Sequence, residues 1–246
     1  MSYKTVCVAG GGVLGSQIAF QAAYCGFDVT IWLRSEGSIG RTQPKIDHVR
    51  EEYIAAIEGM ADGTGEWCAG IADSGQPFDK EAALAAVERV YSTLKLELDL
   101  AKAVADADLV IESMAEDTQA KIDFYKKLAP VLPQKTVVVT NSSTLLPSTF
   151  AKCTGRPEKY LSLHFANSIW KNNVTEVMAQ DQTDKRYFDE LVDFANDIRM
   201  LALPVNKEKN GYLLNSMLVP WLLSGLDLYV SGVSDPKSID LAWTDR

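Results

Sequence analysis

The chain has 246 residues, of which 47% are hydrophobic and 23% charged, which is the composition of a folded globular protein and excludes extensive disorder. Its 33 acidic and 24 basic side chains give a formal net charge of −9, so neither nucleic acid nor a membrane is expected as a partner. The four cysteines include no C-x-x-C pair, which indicates reduced thiols, a cytoplasmic protein and no metal site.

The first third of the sequence predicts a strand, a helix and a second strand, followed by a helical insertion. Residues 5–9 are apolar and β-branched, residues 14–25 have apolar side chains at helical spacing, and residues 29–33 alternate as a strand does. Such a succession forms a βαβ unit with a right-handed crossover. Residues 36–90 have helical flanks at 46–60 and 80–91 around a glycine-rich centre, and we interpret them as an insertion.

The rest of the sequence, after the insertion, predicts more strands of the same sheet and then only helices. Strands are expected at 108–112, 136–140, 160–165, 174–178 and 201–205, with helices at 118–128 and 184–200. From Asn206 onward the pattern is purely helical. The sequence therefore predicts an α/β domain with a doubly wound parallel sheet over residues 1–205, carrying the insertion, and a small all-helical domain over 206–246.

A glycine-rich loop joins the first strand to the first helix. Gly10-Gly11-Gly12-Val13-Leu14-Gly15 matches G-x-G-x-x-G in the place where a Rossmann-type domain binds a dinucleotide. Gly10 permits the tight turn, Gly12 lets backbone amides approach a pyrophosphate, and Gly15 permits close packing. Val13 and Leu14 begin the helix, whose free N–H groups stabilise negative charge. A glycine-rich turn that binds no nucleotide is the alternative.

The end of the second strand bears on which cofactor binds. NAD-binding units place an acid here to hold the adenosine ribose, whereas this chain has Leu33-Arg34-Ser35. A guanidinium beside a hydroxyl is the chemistry that holds a 2′-phosphate, so the sequence favours NADP over NAD. A solvated surface arginine is the competing interpretation.

Polar residues follow three other predicted strands, at the sheet edge where ligands of α/β proteins bind. They are Glu116 with Lys121 one turn later, the run Asn141-Ser142-Ser143-Thr144, and His164 with Asn167. His164 is better placed for acid–base catalysis than His48, the only other histidine. Glu176 lies within a predicted strand, where a charge needs a partner, and His164 is the natural one. No G-x-S-x-G surrounds Ser143, which argues against a serine nucleophile.

These ordered motifs, with Gly211-Tyr212-Leu213-Leu214-Asn215 after them, resemble the 3-hydroxyacyl-CoA dehydrogenase family, nearest to its 3-hydroxybutyryl-CoA dehydrogenase members. The resemblance implies that His164 is the catalytic base and Glu176 its orienting partner. It also implies substrate contacts and cofactor contacts for further residues. These are Ser143, Asn167 and Asn215 at the substrate, and Glu116 and Lys121 near the nicotinamide half of the cofactor. We also expect Leu33 and Asn141, which follow two predicted strands, to contact the cofactor.

The activity implied by the resemblance is hydride transfer between a nicotinamide cofactor and C3 of a short-chain 3-hydroxyacyl-CoA, with residues 36–90 helping to hold CoA. Asn167-Ser168 stands where the family has Asn-Pro. From the resemblance we also expect a helical domain shorter than the family's, either because the missing helices are dispensable or because the sequence is a shortened chain. Met217, Leu218, Trp221 and Leu222 predict an apolar surface and a homodimer through the C-terminal helices. Two alternatives are a dehydrogenase of a non-CoA substrate, such as gulonate or carnitine, and a dinucleotide-binding protein without turnover.

Overall fold

Within the residues that the structure describes, eight strands form one sheet. They are β1 Thr5–Ala9, β2 Asp28–Trp32, β3 Lys95–Glu97, β4 Leu109–Glu112, β5 Val137–Thr140, β6 Tyr160–Phe165, β7 Val174–Met178 and β8 Leu201–Val205. Their order across the sheet is β3-β2-β1-β4-β5-β6-β7-β8. Neighbouring strands are parallel except β6 and β7, which are antiparallel. The Rossmann-type, doubly wound class predicted from the sequence is confirmed, with one reversal of direction in the sheet.

The computed structural model describes residues 3–244 and divides the chain into two compact units, Met1–Glu208 and Lys209–Arg246. The first unit contains α1 Val13–Tyr24, α2 Glu36–Asp62, α3 Lys80–Thr93, α4 Leu100–Val104, α5 Thr118–Leu128 and α6 Lys185–Asp197. The second contains α7 Leu214–Val230 and α8 Pro236–Thr244. Within the described residues, no helix combines the length and apolar character needed to cross a membrane.

The sheet of the first unit is covered by helices on both faces. Every residue of β4, β5 and β6 is buried, as expected for parallel strands between two helical layers. Val8, Ile111 and Leu161 belong to the apolar cluster on one face, while Val110 and Val138 belong to the cluster on the other. The central strands, and the polar residues at their ends, are therefore held in a close-packed frame.

The insertion differs from its prediction in where its first helix begins. Helix α2 starts at Glu36 and runs for 27 residues, ten residues earlier than the predicted flank at 46. Its first part contains Gly37, Gly40 and Pro44, which have low helix propensity and conceal the pattern. The edge strand β3 and the short helix α4 were not predicted, because segments of three and five residues give too few periods to detect.

Candidate active site

The loop between β1 and α1 has backbone positions that only glycine can occupy. Gly10 has a φ of +121°, and a Cβ there would lie 2.5 Å from the Ser113 carbonyl oxygen. A Cβ on Gly15 would lie 2.1 Å from the carbonyl oxygen of Gly10. At Gly12, the N-cap of α1, a Cβ would meet no atom of the described residues within 4 Å, and none of their side chains caps the helix. The loop thus offers open space and helix N–H groups that fit a pyrophosphate.

A cavity of about 280 Å³ adjoins this loop at the end of β2. Leu33 is buried in its wall at 2% exposure, and Arg34, which is exposed, also lines it. Among residues 3–244, none of those that line the cavity carries a carboxylate. Ser35 is the N-cap residue of α2, and its Oγ lies 3.0 Å from the Ser38 Oγ. The carboxylate that an NAD-binding unit places at this point is therefore replaced by an apolar side chain.

His164 and Glu176 stand directly opposite each other on the antiparallel pair β6 and β7. The His164 Nδ1 lies 2.8 Å from the Glu176 Oε2, and both side chains are buried. On the other side of the imidazole, Nε2 lies 3.1 Å from the Ser143 Oγ. Cross-strand neighbours have Cβ atoms close enough for this contact, so the sheet register itself fixes the pair. The structure thus brings together the histidine, the acid and the hydroxyl that the sequence singled out.

Asn141 ties the ends of three strands to one another. Its Oδ1 accepts a hydrogen bond from the Phe165 backbone N–H at 3.0 Å, and its Nδ2 donates to the Ser113 Oγ at 3.4 Å. The side chain is buried, at the carboxyl edge of β4, β5 and β6. It holds the strand that carries His164 against the turn that follows β4. Contact of Asn141 with a cofactor stays a prediction.

The turn after β6 explains the departure from the family's Asn-Pro. Ser168 has a φ of +55°, which a proline ring cannot adopt, and its N–H donates to the Gln17 Oε1 at 2.9 Å. The bulky Trp170 that follows is buried beneath the insertion, where its ring lies 5.2 Å from that of Tyr53. Asn167 is exposed at this turn, and its contact with substrate stays a prediction.

Lys121 is buried against two carboxylates. Its Nζ donates to both oxygens of Glu112, at 2.7 and 2.8 Å, and lies 3.5 Å from the Glu116 Oε2. The sequence placed Lys121 beside the cofactor, but the side chain is 1% exposed and its ammonium is already paired. Thr140 and Tyr125 also donate to Glu112, at 2.8 and 3.0 Å. A contact of Lys121 with the nicotinamide stays a prediction.

Glu116 clamps the loop that contains Ser143. Its Oε1 accepts hydrogen bonds from the Ser142 Oγ at 2.5 Å, from the Thr144 N–H at 3.0 Å and from the Thr144 Oγ1 at 2.9 Å. Partial burial acts to raise the pKa of Glu116, but these hydrogen bonds and the charge of Lys121 outweigh it and lower the pKa below its ordinary value. The residues on either side of Ser143 are thereby anchored.

The sequence did not predict two sets of hydrogen bonds, those of Glu112 with Lys121 and Thr140, and those of Glu116 with Ser142 and Thr144. The available signal was the charge of Glu112 at the end of a strand that is otherwise apolar, since a buried carboxylate requires partners. Asn215, at the start of α7, belongs to the second unit, and its role toward substrate stays a prediction. Residues 3–244 contain no group of three or more His, Cys, Asp or Glu side chains suited to a metal ion.

Comparison with known proteins places the chain in a family. Residues 5–209 match the family model described as 3-hydroxyacyl-CoA dehydrogenase, NAD binding domain. Human mitochondrial hydroxyacyl-coenzyme A dehydrogenase is 28% identical over 240 residues, covering 97% of this chain and 70% of that protein. The 3-hydroxybutyryl-CoA dehydrogenase of Clostridioides difficile is 28% identical over 237 residues, covering 96% of this chain and 75% of that protein.

A solved structure with higher identity belongs to a diketoreductase, described as carrying out substrate-directed dual catalysis of dicarbonyl compounds. It is 40% identical, has a TM-score of 0.83, and covers 99% of this chain and 78% of its own. The resemblance noted in the sequence is confirmed by the extent of the family match. The chain therefore belongs to the 3-hydroxyacyl-CoA dehydrogenase family and is an oxidoreductase that uses a nicotinamide cofactor.

Proposed function

We propose that the protein catalyses reversible hydride transfer between a nicotinamide cofactor and C3 of a short-chain 3-hydroxyacyl-CoA. The observation that carries the proposal is the buried imidazole of His164, held between Glu176 at 2.8 Å and Ser143 at 3.1 Å. A histidine oriented by a carboxylate is suited to reversible proton transfer. A protein that only bound a dinucleotide would need none of these three side chains.

In the proposed mechanism, Glu176 sets the tautomer of His164. An ionised carboxylate can only accept, so the imidazole carries its proton on Nδ1 and presents a lone pair at Nε2. During oxidation, Nε2 takes the proton of the substrate hydroxyl, and Glu176 stabilises the resulting imidazolium. During reduction of the ketone, the imidazolium returns the proton. A nicotinamide cofactor held at the loop of Gly10, Gly12 and Gly15 would supply the acceptor for the hydride in the first direction and its donor in the second.

Ser143 is proposed to hold the substrate oxygen. Its hydroxyl lies within hydrogen-bond reach of the nitrogen that exchanges the proton. A substrate oxygen bound by both groups would place the carbinol carbon at a defined position relative to the glycine loop. The fixed loop around Ser143, anchored by Glu116, supports this role because positional precision limits such catalysis.

NADP is the proposed cofactor, with NAD as the alternative. The glycine loop and its open space fit the pyrophosphate shared by both cofactors. Leu33 in place of an acid, followed by Arg34, favours the phosphorylated ribose of NADP. A cytoplasmic location and a homodimer through α7 and α8 belong to the same proposal. They are supported by the four free cysteines and by the exposed apolar side chains of α7.

A dicarbonyl compound or hydroxy acid without CoA is the second candidate substrate. Two observations favour it, the first being the 40% identity with the diketoreductase. The second is the charge of the insertion, in which residues 36–90 carry eleven acidic and five basic side chains. Such an excess of negative charge repels the phosphates of CoA at short range.

The test is a spectrophotometric assay of cofactor oxidation with acetoacetyl-CoA, ethyl acetoacetate or a simple 1,3-diketone as substrate. We expect turnover with acetoacetyl-CoA, and His164→Gln should lower kcat by about 10²-fold to 10⁴-fold while cofactor binding remains. His48→Gln is the matched control, because His48 is exposed on α2. Turnover of the uncharged ketones but not of acetoacetyl-CoA would support the second candidate, a substrate without CoA. An unaltered rate in His164→Gln would refute the mechanism.

A further inference from the structure

We propose that the cavity at the end of β2 is a pocket for the 2′-phosphate of NADP, and that Ser38, Arg41 and Lys45 of α2 are the residues that discriminate this phosphate from a ribose hydroxyl. The inference rests on the proposed function in two respects, that a dinucleotide binds at the glycine loop and that this dinucleotide is NADP. None of the three residues was recognisable from the sequence, because α2 begins earlier than its pattern indicates. All three line the cavity.

The helix geometry brings these side chains to one place. Residues 38, 41 and 45 are separated by three and four positions, so they project from one face of α2. Thr42, on the same face, donates from its Oγ1 to the Gly11 carbonyl oxygen at 3.1 Å. A Cβ on Gly11 would lie 2.1 Å from that hydroxyl. The face is therefore packed directly against the dinucleotide loop, at a fixed distance from the pyrophosphate position.

The charge of the cavity is opposite to that of the protein. Arg34, Arg41 and Lys45 line it, and no Asp or Glu of the described part of the chain does, although acidic residues outnumber basic ones in the sequence. A local cluster of cations dominates over a distant negative charge because salt screens the latter within about 8 Å. A dianionic phosphate would form charge-assisted hydrogen bonds with this cationic lining, whereas the neutral diol of an unphosphorylated ribose would not.

The hydrogen-bonding groups are arranged before any ligand binds. The Arg41 Nη2 donates to the Ser38 Oγ at 3.0 Å, and the Ser38 Oγ also lies 3.0 Å from the Ser35 Oγ. The Lys45 ammonium donates to the Arg41 carbonyl oxygen, which keeps it on the same turn of the helix. A guanidinium has five donors and an ammonium three, so both retain donors for phosphate oxygens. The buried Leu33 provides no acceptor for a 2′-hydroxyl.

The test measures binding, which separates it from the dehydrogenase activity. NADPH, NADH, adenosine 2′,5′-bisphosphate and 5′-AMP are titrated by calorimetry, with quenching of Trp32, another residue of the cavity wall, as a second signal. We expect NADPH to bind at least about tenfold more tightly than NADH, and the bisphosphate more tightly than 5′-AMP, as charge-assisted hydrogen bonds predict. These comparisons use the unaltered protein and need no variant to fold.

Variants then assign the preference to residues. Arg41→Ala and Lys45→Ala should each weaken NADPH binding about tenfold and leave NADH binding within about twofold. Arg50→Ala is the matched control, because it removes a cation of α2 that pairs with Glu88 instead. Equal affinity for the two cofactors, or equal losses for both in the variants, would overturn the inference. A preference for NADPH over NADH in a protein without dehydrogenase turnover would refute the proposed activity but would still support the phosphate pocket.

Discussion

The two units of the chain bury their apolar side chains to very different extents. In the first unit, β4, β5 and β6 are entirely buried between two apolar clusters. In the described residues of the second, 209–244, only Tyr212 is buried, while Met217 and Leu222 of α7 are 67% and 54% exposed. The first unit has the core that a stable fold requires, and the second has an apolar helix face of the kind that is covered by association. Chemistry that needs fixed geometry is therefore expected in the first unit.

The variant with the largest expected effect tests whether the catalytic residues lie in the first unit. Glu176→Gln should lower kcat by about 10³-fold, because the amide can donate to Nδ1 and favour the tautomer with its proton on Nε2. Steady-state kinetics with NADPH, together with calorimetric cofactor binding, measure the change, and the affinity for cofactor should not alter. An unaltered kcat would show that the pairing of His164 with Glu176 does not contribute to catalysis.

The second test concerns the buried polar network of the first unit. Lys121→Met should destabilise the protein by about 3–5 kcal/mol, because the Glu112 carboxylate loses its buried partner. Urea unfolding measures the free energy. The control Lys135→Met removes an exposed partner of Asp108 and should cost no more than about 1 kcal/mol. Adding Glu112→Gln to Lys121→Met should restore part of the loss, since no unpaired charge would then be buried.

The third test concerns the apolar face of the second unit. If α7 forms the homodimer interface, Leu222→Glu should raise the dissociation constant of the dimer by at least about tenfold, because a charge would be buried in the contact. Light scattering across a concentration series measures the mass. Val131→Glu, at an exposed apolar position of the first unit, should leave the mass unaltered. A monomer at every concentration of the unaltered protein would contradict the proposed dimer and the role given to this face.

The sequence predicted local features of the fold better than it predicted contacts between distant elements. The strand expected at residues 174–178 has the bounds of β7, and the pairing of Glu176 with His164 was expected from the cost of an unpaired buried charge. The network around Glu112 was not foreseen, because it joins side chains from β4, α5 and β5 that only the folded sheet brings together. Local signals thus predicted the elements and one cross-strand pair, while contacts between distant elements required the structure.

The smallest expected effect concerns the clamp that Glu116 forms on both sides of Ser143. Because hydrogen bonds and Lys121 hold the pKa of Glu116 below its ordinary value of 4.5, the clamp stabilises the fold above that pH and is lost as the pH falls through the lower, folded-state value. Glu116→Gln should lower kcat about fivefold at neutral pH, the effect of weakening one hydrogen bond. Carboxyl NMR titration and kcat measurements follow the two effects, with the exposed Glu58→Gln as control. A carboxyl pKa at or above 4.5 would show that these hydrogen bonds do not favour the ionised carboxylate, and it would contradict the clamp.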